Sequence, residues 1–469
     1  MLGILSKLYL FVLFSIIFFS PLILLYTSLE GFVFIILCIL SFVIVASPMF
    51  IKSKVEIDQP IVFILMSVLF GITLRGPYFL FTEDRHIRDF FMLGESIDFF
   101  IFPTFLLVIG LAIMMVGYSL KPKPWNLLKY RLFRKTDWSE NRIIILSVFG
   151  IIASMYGIYL YFELLKTSIL ELDVSTFSKA RFIEIEGSDV RGSAGYVRLL
   201  GGLARPIFFI TLLYFLAKRK SIFSVIGVLM IFSLIASLAL PILLSTRVQV
   251  IYIAFSAGLI WSSKRKVSGR TWVMLLLVIG LVFSVLTSYR NREITDYSDI
   301  WKSVNLFSVV ESVVDNRNLL GVSKNAHIIN NVPEREPHAW GWTVVNWVVT
   351  PIPRSLWPSK PSALTGGYVR DHIYQHKYGG GIPPGIVAEL YWNFSYIGIF
   401  LMFFIGRFFK KIYLSFKPLF ATNDNAVLVY FLVLPSIVDL LFGNGINYAI
   451  LRFMQDFLPL IPILMFIRK

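Results

Sequence analysis

Apolar residues occur along this chain in long blocks, with neither the alternation of a half-buried strand nor the narrow stripe of an amphipathic helix. A helix needs roughly 20 apolar residues to cross a bilayer. Blocks near that length lie at about 5–26, 31–51, 59–75, 98–119, 143–165, 198–217, 221–243, 248–262, 271–288, 384–406, 425–442 and 450–467. The pattern predicts an all-α polytopic membrane protein with about twelve transmembrane helices. The first block is too long for a signal-peptide core and lacks a small-residue cleavage site, so it reads as a retained anchor. Three parts follow: residues 1–288 with nine helices, a polar segment at 289–383, and residues 384–469 with the last three helices. Within the polar segment, Ile300, Val304, Phe307, Val310, Val314 and Leu320 recur near helical spacing and predict a helix over 299–320. The remainder, rich in Pro, Gly, Trp and His, reads as irregular, and a loop of that length is usually functional.

Composition agrees with this layout. Apolar residues make up 57% of the 469 positions and charged residues 15%, against about 45–50% and about 25% in soluble domains. A water-soluble enzyme is thereby excluded. The formal charge of +16 would suit nucleic acid or a membrane surface, and its distribution decides between them. With the N-terminus inside, the connections at 52–58, 120–142, 218–220, 263–270 and 407–424 and both tails hold 23 of the 44 lysines and arginines but five of the 28 acids. The excess of positive charge therefore lies on one side, as expected for cytoplasmic connections, and no nucleic-acid partner is predicted. Both termini are then cytoplasmic, and the loops at about 76–97, 166–197 and 289–383 face outward. Cys38 stands alone, so neither a disulfide framework nor a cysteine-based metal site is available. The five histidines form no metal-binding pair, and no Gly-x-Ser-x-Gly or nucleotide-binding glycine pattern occurs. The chemistry predicted is metal-independent and uses no cofactor.

The densest group of reactive side chains runs from Trp340-Gly341-Trp342 to Trp392. It includes Pro351, Pro353, Arg354, Trp357, Pro358, Lys360, Pro361, Tyr368, Arg370, Asp371, His372 and the run Gly379-Gly380-Gly381-Ile382-Pro383-Pro384-Gly385. Indole and phenol rings suit the apolar faces of sugars, and arginine forks suit phosphate oxygens. The alternative for the aromatics is ordinary interfacial anchoring. Pro383 and Pro384 mark a helix start whose N–H groups would offer an anion site. Glu389 lies about a turn further in, as a functional carboxylate or as the partner of an arginine. Arg247 follows Ser245-Thr246 at a short outer turn, whereas Asp439, Arg452 and Asp456 on the last two helices read as a structural pairing. An arginine followed by ten residues and glycine occurs in each large outer loop, as Arg181 to Gly192 and Arg370 to Gly381.

The helix number, the two large outer loops and the block Pro353-Arg354, Trp357-Pro358, Lys360-Pro361 resemble the Wzy family of O-antigen and oligosaccharide-repeat-unit polymerases. The run Pro383-Pro384-Gly385 to Glu389-Leu390-Tyr391-Trp392-Asn393-Phe394, the Thr246-Arg247 turn and the paired arginine–glycine spacing share in the likeness. The chain departs from that pattern after Phe394, where Tyr396-Ile397-Gly398 replaces an earlier glycine. The resemblance implies a GT-C type glycosyltransferase of the bacterial inner membrane that joins repeat units on undecaprenyl diphosphate at the periplasmic face. The growing chain would move en bloc to the incoming unit, with undecaprenyl diphosphate leaving. In that setting Arg181, Arg191, Arg247, Arg354, Lys360 and Arg370 would hold the diphosphate, and Trp340, Trp342, Trp357, Tyr368 and Trp392 would contact sugars. Glu389, Asp371, His372 and His338 are the candidates for the base. Expected partners are the lipid-linked donor and acceptor, membrane lipid, a chain-length regulator and a flippase. Two alternatives share the layout: an O-antigen ligase, and a transporter or flippase, which should show broken helices around buried ions.

Overall fold

The computed structural model describes residues 28–51, 56–81, 96–134, 137–164, 200–243, 247–265, 267–290, 320–349, 352, 356–357, 359–360, 365–375 and 381–469. The predicted helix at 5–26, all but the last residue of that at 299–320, and the loop at 166–197 lie outside them. Among the described residues the fold is helical, and the one β pairing is an isolated antiparallel bridge between Trp138 and Arg468. Six helices are long and apolar enough to cross a membrane: Leu29–Met49, Pro60–Tyr78, Asp98–Ser119, Glu140–Glu163, Val225–Ile242 and Ile446–Ile467. Shorter apolar helices cover Ala204–Ala217, Gly269–Val282 and Asp424–Pro435. The chain is a multi-pass membrane protein.

In chain order the helices are α1 (Leu29–Ile51), α2 (Pro60–Val68), α3 (Arg75–Phe81), α4 (Asp98–Ser119), α5 (Glu140–Leu164), α6 (Ala204–Ala217), α7 (Val225–Leu243), α8 (Arg247–Lys264) and α9 (Gly269–Arg290). Then follow α10 (Val322–Asn331), the short α11 (Trp342–Val345) and α12 (Thr365–Tyr368), α13 (Ile386–Phe400), α14 (Met402–Phe416), α15 (Asp424–Gly443), α16 (Ile446–Phe457) and α17 (Leu460–Ile467). Helix α10 differs from the irregular segment predicted there. Its polar side chains are turned inward: Lys324, Asn325, His327 and Asn331 are buried, and Asn330 Nδ2 donates to the Phe99 carbonyl at 2.8 Å. Its apolar spacing, Val322, Ala326 and Ile329, is only three residues long and is interleaved with these buried polar groups, so it does not stand out in the sequence.

The chain divides into two compact units. One comprises Met1–Asn126, Val314–Lys417 and Leu434–Asp456; the other comprises Leu127–Val313, Pro418–Val433 and Phe457–Lys469. In the first, α4 packs along α1, α10, α13 and α14. Apolar side chains gain little by leaving lipid for protein, so helix pairs in a membrane depend on close backbone approach at small residues. Here a Cβ on Gly117 would run into the Phe403 carbonyl, and one on Gly406 into the Met114 carbonyl. Gly117→Leu or Gly406→Leu should therefore force α4 and α14 apart, at or above the ~1–3 kcal/mol that overpacking costs. Loss of a monodisperse peak on size exclusion in detergent would register it. Wild-type behaviour of both variants would refute this packing.

In the second unit α5, α6 and α7 pack together. Ser154 Oγ donates to the Gly201 carbonyl at 2.6 Å, and the Thr211 and Ser233 hydroxyls meet at 3.3 Å. Two ion pairs lie at its helix ends, with Lys264 Nζ 2.6 Å from Asp424 Oδ1 and Lys220 Nζ 2.9 Å from Glu140.

Candidate functional site

The site is organised by a break in α13. Phe394 (φ −135, ψ 17) and Ser395 (φ 54, ψ −148) leave helical geometry in mid-helix. Ser395 thus occupies a backbone region that is nearly reserved for glycine and costs about 1–3 kcal/mol for other residues. Ser395→Gly should accordingly raise the thermal unfolding midpoint, while Ser395→Val should lower it. An unchanged midpoint in both would mean that the turn is not strained.

The break releases the backbone groups of the preceding turn. In an unbroken helix the Trp392 carbonyl would accept from the Tyr396 N–H. Here it accepts instead from the Ala339 N–H at 3.0 Å and lies 3.1 Å from His338 Nδ1. The Trp392 indole N–H returns a bond to the Pro337 carbonyl at 3.2 Å. Asn393 extends this zipper: its Oδ1 accepts from the Gly341 N–H (2.9 Å), and its Nδ2 donates to Thr343 Oγ1 (2.6 Å) and to the Glu389 carbonyl (2.7 Å). Residues 337–343 are thereby fastened to the broken helix. Trp340 (φ 47) and Gly341 (φ 88) form the left-handed corner that turns the chain back.

This anchoring has a chemical consequence for His338. A carbonyl can only accept, so the contact suits a hydrogen on Nδ1; in a neutral ring with that hydrogen, Nε2 carries the lone pair that a general base requires. The ring is half-buried and meets the edges of Trp340 (5.8 Å) and Tyr391 (6.1 Å). Beside it stands a stack of three rings. His372 lies on Tyr368 at 4.1 Å and 19°, and Tyr368 lies on Trp392 at 5.7 Å and 28°. His372 is exposed at one end, whereas Trp392 is 3% exposed and forms the base. Trp392 therefore supports the exposed ring surface and adds little to it. Trp340 and Trp342, 78% and 48% exposed, offer open indole faces. Burial and a 2.5 Å bond to Glu336 push the Tyr368 phenol up to about 12, so it remains a neutral donor.

Arg370 and Asp371 form a two-pronged pair, Nε to Oδ1 at 2.7 Å and an Nη to Oδ2 at 3.0 Å. The arginine holds the Asp371 carboxyl below its ordinary range, which makes it a weak base, and an incoming anion must share Arg370 with it. Gly381, which closes the Arg370 spacing, has a packing role. A Cβ there would come within 3.0 Å of the Gly366 backbone, where the Ile382 N–H donates to the Gly366 carbonyl at 2.7 Å.

Glu389 corrects two expectations. The predicted anion site at the start of α13 is not open, because residues 382–393 are buried. Among the described residues the partner of Glu389 is likewise a backbone N–H and not an arginine. Its Oε2 accepts the Ile446 N–H at 2.5 Å, so the carboxylate sits at the N-terminus of α16, where the helix dipole favours an anion. Gly445 (φ 105) permits this approach: a Cβ there would be 2.5 Å from the same oxygen. Lys324 complements it by donating to the Gly443 carbonyl at the end of α15 (2.8 Å). An acid and a base thus clamp the turn between α15 and α16. Glu389 is 0% exposed, and its Oε1 has no hydrogen-bond partner among the described residues.

Of the remaining residues, Lys360 Nζ donates to the Ile352 carbonyl (2.7 Å) and Trp357 Nε1 to Ser359 (3.1 Å), so both belong to one local turn. Arg181, Arg191 and Arg354, and the side chains of Arg247 and Asp439, lie outside the described residues. Arg452 pairs with Asp456 at 3.0 Å, the structural role expected of them. Sequence reading overlooked Asn393, Thr343, Lys324 and Glu336. Asn393 could have been flagged as an amide inside an apolar run, but the partners of the other three are distant in sequence. Comparison with protein-family models, with curated proteins and with solved structures returned no match.

Proposed function

We propose that this protein is a glycosyltransferase that extends an oligosaccharide carried on a polyprenyl diphosphate, in the manner of the Wzy polymerases its sequence resembles. The observation that carries the reading is the surface built on the α13 break: exposed indoles, a stacked phenol and imidazole, His338 held by its Nδ1 at the Trp392 carbonyl, and Arg370 beside them. The indoles suit sugar faces. His338 Nε2 would take the proton of the acceptor hydroxyl as it attacks the anomeric carbon, and the leaving diphosphate would be met by Arg370. Fixed donors of that kind typically contribute on the order of 10²–10³ in rate. In this reading Arg181, Arg191, Arg247 and Arg354 complete the anion site, and donor and acceptor are both undecaprenyl-linked.

The finer topology belongs to the same proposal: twelve spans, both ends cytoplasmic, and an active face in the periplasm of a bacterial inner membrane. A phosphatase reporter fused near residue 330 should be active and one near 130 inactive, and the reverse pattern would overturn the orientation. The activity is tested by incubating purified protein with a defined undecaprenyl-diphosphate repeat unit and no added metal. A ladder from wild type, reduced to single units by Arg370→Ala at normal expression, is the expected result. Transfer of one unit to a lipid A core without laddering would mark a ligase.

A transporter is the second reading, favoured by α13 breaking one turn beyond a fully buried carboxylate. Uptake of the lipid-linked unit by proteoliposomes, without any ladder, would support it.

A further inference from the structure

A separate surface lies at the other end of the path from α13 to α14. Gly406 packs against the backbone of Met114 and Tyr118, and the Trp125 N–H donates to Ser415 Oγ at 2.8 Å. Residues 119–124 are thereby held alongside α14, between the levels of Gly406 and Ser415. Leu120 is extended (φ −71, ψ 142), and Lys121-Pro122-Lys123-Pro124 follows, a run whose prolines favour a stiff extended chain. Phe404, Phe408, Lys411 and Ser415 form one stripe on α14, and Trp125 lies against it. Lys411 Nζ stands 4.7 Å from the centre of the indole, and the Phe408 ring meets the indole edge at 6.0 Å. Arg407 is one turn before Lys411.

The charge here is uncompensated. The nearby carboxylates Glu56 and Asp58 are engaged by Lys417, at 3.4 Å and 2.7 Å, and Glu56 also accepts the Tyr413 hydroxyl. Lys410 is buried against the Tyr118 and Tyr413 rings. Lys121, Lys123 and Arg407 are exposed and Lys411 is half-buried, with no ion pair to any of the four among the described residues. The same face leaves Phe404 63% and Phe408 46% exposed.

We propose that this face binds an anionic phospholipid, its phosphate held by Lys121, Lys123, Arg407 and Lys411 and its acyl chains lying along Phe404 and Phe408. The occupant follows from the pairing of features. Four cations lacking carboxylates call for an anion, and exposed phenylalanines one turn away call for an apolar chain covalently attached to it. A tryptophan between the two stands where indoles collect, at headgroup depth. An acidic soluble partner would match the lysines and leave the phenylalanines uncovered. The proposal is independent of the catalytic reading.

Native mass spectrometry of the full chain, released from detergent containing equal phosphatidylglycerol and phosphatidylcholine, tests it. Wild type should retain phosphatidylglycerol several-fold over phosphatidylcholine, and excess inorganic phosphate should not displace it. K121Q/K123Q/R407Q/K411Q should bring the two lipids to parity. K129Q/R219Q/R265Q/R270Q, with the same loss of charge elsewhere, should keep the preference, and W125A should weaken it. Should the first fourfold variant fail to stay monodisperse, R407Q and W125A carry the test alone. An undiminished preference in the variants of this face, an equal loss in the control fourfold variant, or displacement by phosphate would each overturn the proposal.

Discussion

His338→Ala should abolish chain extension while the protein still folds, a loss of roughly 10²–10⁴ in rate if the imidazole is the general base. The reasoning begins with the broken helix. The Trp392 carbonyl loses its helical donor at the Phe394–Ser395 break and lies 3.1 Å from His338 Nδ1, which leaves the basic nitrogen on the other side of the ring. The Ala339 N–H remains on the same carbonyl in the variant, so the loop retains its anchor. His338→Asn refines the test, because the amide can still donate to that carbonyl but cannot accept a proton at the Nε2 position. Both variants should give single repeat units where wild type gives a ladder. Extension at the wild-type rate by His338→Asn would transfer the role to His372, the exposed imidazole on the Tyr368 stack.

Glu389 supports an expectation of similar size on stability. Glu389→Ala orphans the Ile446 N–H inside the protein, a cost of about 1–3 kcal/mol, and leaves a cavity whose cost is added to it. Glu389→Gln should be far milder, since its amide oxygen can accept the same N–H. Thermal unfolding in detergent should therefore fall steeply for the alanine variant and little for the glutamine one. Chain extension should follow stability. A stable Glu389→Gln protein that makes no ladder would overturn the purely structural role and return the carboxylate to the list of bases.

The helices were largely legible because the property that defines them is local. A block of apolar residues near 20 long has few destinations other than a bilayer, and the six helices long and apolar enough to cross a membrane all overlap those blocks. What pattern reading missed depended on distant partners. Helix α10 was hidden because Lys324 and Asn330 answer to Gly443 and Phe99. The predicted helix at 384–406 became α13 and α14, with a kink whose released carbonyl is claimed by His338 and Ala339.

By itself the sequence determined that this is a multi-pass helical membrane protein. Length and apolarity are sums over neighbouring residues, and no tertiary contact can alter them. The tertiary structure alone decided what several side chains touch: that Glu389 anchors a helix 57 residues away, that Trp392 supports a surface without forming it, and that His338 Nδ1 meets the Trp392 carbonyl. Each of these turns on which donor reaches which acceptor across the fold. That pairing arises only when a broken helix and a folded-back loop meet at hydrogen-bond distance.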